Sequence, residues 1–191
     1  LCSQKLEIQA FLKRNMSQSH CSQTIKNNCY ETYVRPTLEY SCSVWDPHQQ
    51  TDILKLENVQ RRAARFVMNN YNYETSVTEL MREAKWQPLQ ERISKTKATL
   101  LFKARHGLSH IPTDHLMTNN NSSRRAQHSY KVPSSRTNVH MFSFYPSSLR
   151  LWNGLPQDIK ATKSLDSFKN KIAGITVSAS HNEGAVPRHK K

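Results

Sequence analysis

Arg61, Arg62 and Arg65 fall within little more than one helical turn, and three guanidinium groups so spaced can track the phosphates of a polynucleotide backbone. Lys95, Lys97 and Lys103 offer the same chemistry along a later segment. Groups of this kind position a duplex without reading its sequence. The plainer reading is that the arginines pair with Glu57, Glu83 or Glu91 on neighbouring turns.

The remaining reactive side chains make weaker constellations. His106 and His110 stand four apart, a spacing that can put two imidazoles on one helix face for metal binding, but Gly107 between them breaks that geometry and His-Gly-Leu-Ser-His lacks a metalloprotease glutamate. His115 sits just beyond. Polymerase and nuclease sites cluster carboxylates around two cations about 3.5–4 Å apart. This chain has 14 acids and no adjacent acidic pair. Asp46, Asp52, Glu57 and Asp158 instead suit turns and helix starts, where a carboxylate satisfies free backbone donors. Cys29 and Cys42 fit core spacings as small hydrophobes. With four glycines and no Gly-rich run, a phosphate-cradling loop is not expected, and no cofactor or metal is assigned to the chain.

Helices must carry these groups. Ile25, Cys29 and Tyr33 recur at every fourth residue and predict one buried face, with a kink or restart at Pro36. Leu38, Cys42 and Trp45 form a short second run closed by Asp46-Pro47. From Thr51, Ile53, Leu56, Val59, Gln60, Ala63, Phe66 and Val67 make an apolar stripe at helical period, leaving the basic residues on the other faces. The turn Asn69–Tyr73 ends that helix. Ser76 and Glu79 form a capping-box pattern ahead of Val77, Leu80, Met81 and Ala84. Pro88 suits the first turn of a longer helix burying Leu89, Ile93, Leu100, Leu101 and Ala104, and Gly107 suits the left-handed residue past its end. Alternation over 140–145 predicts a short strand, Ser147 or Ser148 a cap for a helical turn through Leu149 and Trp152, and Ser164 the cap of a last helix burying Leu165, Phe168 and Ile172.

The expected fold is mainly α: roughly six helices, with room for one short β-hairpin near 128–145. Its parts are an irregular segment 1–10, a helical body 11–110, a polar loop 111–127, an aromatic and helical appendage 128–173, and a basic tail 174–191.

Charge narrows the partners. With 28 Lys+Arg against 14 Asp+Glu the formal charge is +14, which favours a polyanion. Residues 92–150 hold ten Lys/Arg, Arg124 and Arg125 among them, against Asp114 alone. No run approaches the roughly 20 apolar residues of a membrane span. The four cysteines, all within the first 42 residues at irregular spacings, suggest neither a disulfide framework nor a metal pair. An intracellular protein of nucleus or cytoplasm is expected. The first residue is Leu1, which favours a fragment.

Several blocks in order carry a resemblance: FLKRN at 11–15, YVRPTLEYSCSVWDP at 33–47, LENVQRRAARFV at 56–67, SVTELM and WQPLQERI within 76–93, RTNVHMFSFYPSSLRLWNGLP at 136–156 and SLDSFKNKI at 164–172. Together they resemble the region downstream of the palm in non-LTR retrotransposon reverse transcriptases of the jockey and CR1 type. The resemblance implies thumb-like helices that hold an RNA or RNA/DNA duplex behind a catalytic palm supplied by upstream polymerase domains. Magnesium, and the Tyr-Ala-Asp-Asp type box that binds it, would belong to that palm, and this chain alone would not be catalytic. The alternative class is a helical protein-interaction module whose basic surface keeps it soluble. A further alternative is a small metal-dependent nuclease using His106 and His110.

Overall fold

The computed structural model describes residue 10 and residues 14–16, 21–114, 116–118 and 128–176. All but the last residue of the expected irregular segment 1–10, most of the polar loop, including Arg124 and Arg125, and most of the tail lie outside the described residues, as does His115. The architecture is mainly helical. Ten α-helices occur among the described residues: α1 Gln23–Cys29, α2 Arg35–Glu39, α3 Cys42–Trp45, α4 Gln50–Val67, α5 Val77–Glu83, α6 Leu89–Arg105, α7 Asn138–Phe142, α8 Phe144–Gly154, α9 Gln157–Lys160 and α10 Leu165–Ala173, with a π-helical turn at Tyr30–Val34. The count exceeds six because α3, α7 and α9 are helices of four or five residues, too short to show a period.

Two compact units divide the chain, Leu1–Arg92 and Ile93–Lys191, the boundary falling inside α6. In the first unit, Pro36 acts as its missing N–H requires. The chain widens into the π-helical turn, where the Arg35 N–H reaches back to the Tyr30 carbonyl, and Thr37 Oγ1 donates to the Val34 carbonyl at 2.7 Å. The face this segment buries is not the expected one. Ile25 and Tyr33 are 50% and 59% exposed, while Lys26, Tyr30, Val34, Leu38 and Cys42, the row one residue on, are buried. Lys26 conceals that row in the sequence. Its stem lies in the core and its ammonium stands 5.1 Å from the Phe66 ring centroid, a cation–π contact. Tyr30 stacks on Trp86 with centroids 4.0 Å apart, and Trp86 Nε1 donates to Asn27 Oδ1 at 3.0 Å.

The α4 stripe is buried as expected, from Ile53 to Val67. Gln60 belongs to it because Nε2 donates to the Gln87 carbonyl at 2.8 Å. Leu80 and Met81 of α5 are also buried.

The second unit gathers Ala98, Leu101 and Phe102 of α6, Leu149, Leu151 and Trp152 of α8, Ile159 of α9, and Phe168 and Ile172 of α10 into one core. Phe168 stacks on Phe102 and on Trp152, at 4.4 and 5.7 Å between centroids. At the end of α6, Gly107 takes φ +66°, and the Leu108 N–H closes on the Lys103 carbonyl at 2.8 Å, the left-handed cap expected there.

The predicted strand at 140–145 is corrected: residues 140–142 fall in α7 and 144–145 in α8, with Ser143 as the extended residue between them. Thr137 Oγ1 accepts the His140 N–H and starts α7, and Pro146 presets the first turn of α8. Extended pairing among the described residues is one antiparallel bridge between Thr118 and Tyr130.

Candidate nucleic-acid interface

Helix α4 runs for 18 residues without glycine or proline, with Asp52 in its first turn and Arg65 in its last, signs that suit the helix dipole. Burial of the apolar stripe fixes its rotation. What remains outward is Leu54, Lys55, Asn58, Arg61 and Arg62, all exposed, with Arg65 half-buried at the edge. From Lys55 to Arg65 this face extends about 15 Å at 1.5 Å per residue.

Ion pairs among the described residues include Glu31–Arg35, Asp52–Lys55, Glu79–Arg82 and Glu39–Arg92, and none of these four includes Arg61, Arg62 or Arg65. Glu57, a candidate neutralising partner, points elsewhere. Its Oε1 accepts the Gln90 N–H at 3.0 Å, satisfying a free donor in the first turn of α6. Burial raises the Glu57 pKa, against the pull of hydrogen bonds from Gln90 and Leu89 and of the Arg61 charge. Lys55 is engaged with Asp52 at 2.8 Å.

The three arginines divide by role. Arg61 and Arg62 are exposed. Arg65 turns back on the loop that follows α4: Nη1 donates to the Asn72 carbonyl at 2.6 Å and Nη2 to the Thr75 carbonyl at 3.2 Å. It serves as a structural clamp, with less of its fork open to a ligand than its spacing suggested.

The α6 lysines lie in the second unit and also divide. Lys97 is 3% exposed, and its Nζ donates to Ser147 Oγ at 3.1 Å, so its assignment as a phosphate contact is corrected. The (CH₂)₄ stem reads as polar in the sequence but packs as an aliphatic chain. Lys95 is half-buried, its Nζ donating to the Ala173 carbonyl at 3.1 Å in the last turn of α10, where a cation suits the carbonyl end of a helix. Lys103 is half-buried.

Tyr71 and Tyr73 escaped the sequence reading. They lie in the turn after α4, 47% and 95% exposed, and the Arg65 guanidinium carbon stands 5.8 Å from the Tyr73 ring centroid. Two aromatics inside an asparagine-rich turn next to a basic helix end were the signal.

The histidines do not converge. His106 stacks on Phe102 at 4.1 Å with Nδ1 3.0 Å from the Phe102 carbonyl, and the left-handed Gly107 turns the chain before His110. Among the described residues no group of three or more His, Cys, Asp or Glu side chains is placed to hold a metal ion, and no helix is long and apolar enough to cross a membrane.

Comparison of the chain with protein-family models, curated proteins and solved structures returns no match.

Proposed function

We propose that this chain is a thumb-like, palm-lacking part of a non-LTR retrotransposon reverse transcriptase, and that it binds an RNA or RNA/DNA duplex without regard to sequence, in nucleus or cytoplasm. The observation that carries the binding is the outward face of α4. Arg61 and Arg62 stand there exposed and outside the four ion pairs named among the described residues, while Glu57 is aimed at the first turn of α6. Two guanidinium groups on a rigid helix, within a chain of formal charge +14, suit contact with adjacent phosphates. The ordered sequence blocks support the polymerase origin, and the catalytic palm with its magnesium belongs to the upstream domains on this reading.

The test is a salt titration of binding to an RNA/DNA duplex. Affinity falls steeply between low and physiological salt, and replacing Arg61 and Arg62 with Ala lowers the slope of log affinity against log salt by roughly 1.4 to 1.8, at 0.7 to 0.9 per phosphate contact. The helical circular-dichroism signal persists. A flat salt response in the parent chain would overturn the proposal.

One observation favours the alternative of a protein-interaction module. Ile25, Tyr33, Tyr40 and Val44 are exposed large hydrophobics spread over α1, the π-helical turn, the residue that follows α2, and α3. On that reading the double arginine variant leaves the function untouched, and Ile25→Ser with Tyr33→Ser abolishes it.

A further inference from the structure

An exposed tyrosine is ordinary when its loop is loose, because the ring then covers whatever apolar surface is near. The loop after α4 is tied down, and still holds Tyr73 outward. Asn69 adopts φ +50°, Asn70 Oδ1 accepts the Asn72 N–H at 3.0 Å, and Asn72 Oδ1 accepts the Glu74 N–H at 3.0 Å. Asn70 Nδ2 donates to Thr75 Oγ1 at 3.3 Å, and Arg65 draws in the Asn72 and Thr75 carbonyls from below. With the backbone pinned at both ends, the 95% exposure of Tyr73 is a built orientation. Arg65 sits against the ring at 5.8 Å, and so high an exposure leaves the rest of the ring open. A cation under an aromatic ring beside two outward arginines is the combination that takes a nucleobase: the ring stacks on the base while the guanidinium groups meet the phosphates leading to it.

We infer that Tyr73 is a stacking platform for an unpaired base at the end of a duplex bound along α4. The inference rests on the proposed nucleic-acid reading and names the feature of the ligand it adds: a single-stranded overhang contiguous with the duplex. Glu74 is the one carboxylate in the loop, outnumbered by Arg61, Arg62 and Arg65. Stacking tolerates any base, which agrees with contacts that do not read sequence.

The experiment uses the full chain and two fluorescent RNA/DNA duplexes, one blunt and one with a two-nucleotide overhang carrying 2-aminopurine. The overhang tightens binding by roughly 5- to 150-fold, the range for one stacked base, and the 2-aminopurine signal is quenched. Tyr73→Ala removes both effects while blunt-duplex affinity and its salt slope stay as they were. Tyr73→Phe keeps both. Salt-dependent duplex binding with no overhang preference overturns the platform and leaves the phosphate-contacting face standing. Binding of neither duplex overturns the face itself. A Tyr73→Ala change that alters sedimentation, converting a self-associated chain to monomer, overturns the platform in favour of a protein contact.

Discussion

Arg92 grips Glu39 with both arms of its fork, Nε on one carboxylate oxygen and Nη2 on the other, the second contact at 3.1 Å, across 53 residues of sequence. Its consequence is long-range: α2 is tied to α6 by the strongest type of side-chain hydrogen bond in the first unit. The Glu39 hydrogen bonds are the leading cause that raises the Arg92 pKa, so the guanidinium stays charged at every pH the fold survives. Arg92→Lys keeps the charge and loses the fork. We expect it to cost about 1–2 kcal/mol in urea denaturation and Arg92→Ala about 2–3 kcal/mol, with a coupling to Glu39→Gln of about 1–2 kcal/mol in a double-mutant cycle. Additive single costs would show that the pair does not couple.

Glu57 gives the fold a pH dependence of definite sign. Burial leads the rise of its pKa above the ordinary 4.5, so the folded chain holds the proton more tightly than the unfolded chain does. Stability from this group is therefore fully present below pH 4.5 and is lost as pH rises through the folded value. Glu57→Gln keeps an acceptor for the Gln90 N–H and removes the titration. The stability difference between variant and parent, measured by denaturant midpoint, should move in the variant's favour as pH climbs from 4 to 7. A difference constant with pH would refute the assignment.

Where the sequence was legible, period and length made it so. The α4 stripe and the Gly107 cap are as expected because an 18-residue amphipathic helix repeats its pattern four or five times and a left-handed turn selects glycine. Lysine spoiled the reading elsewhere. Lys26 sits in the buried row of α1 and Lys97 in the core-facing row of α6, so a charged residue breaks the apolar pattern of each row and Lys97 reads as a surface charge. For Arg65, spacing shows that it lies near Arg61 and Arg62 but not that three backbone carbonyls await it at the helix end. The alternation at 140–145 failed because Thr137 and Pro146, outside or at the edge of that window, dictate helix starts.

Lys97 and Arg62 should respond oppositely to truncation. Lys97 is buried with its ammonium on Ser147, so Lys97→Ala removes packed methylenes and a buried hydrogen bond, with an expected cost of about 1–3 kcal/mol. The folded variant should bind duplex with the parent's salt slope. Arg62→Ala should change stability by less than about 0.5 kcal/mol and lower the slope by about 0.7–0.9. A Lys97→Ala variant with full stability and a reduced slope would put that ammonium in contact with phosphate.

Asn153 stands in for a strand. Its Oδ1 accepts the Tyr130 N–H at 2.9 Å and its Nδ2 donates to the Tyr130 carbonyl at 2.8 Å, the two bonds that a neighbouring backbone would supply. The next residue back, Trp152, donates from Nε1 to the His128 carbonyl at 2.9 Å, so two consecutive side chains of α8 hold the 128–130 segment against the core. The amide carries an acceptor and a donor side by side and so satisfies both groups of Tyr130 at once. Asn153→Ala leaves a donor and an acceptor of a nearly buried residue unpaired, and should cost about 2–3 kcal/mol. Asn153→Asp keeps the acceptor but sets a carboxylate against the Tyr130 carbonyl, so at neutral pH it should be no better than Ala, and it should recover as the carboxyl is protonated and can donate again. Thermal melts at pH 7 and pH 4 decide it: the Asp variant gains on the Ala variant at the lower pH, and equal melting temperatures at both pH values would show that Asn153 does not pair with the Tyr130 backbone in solution.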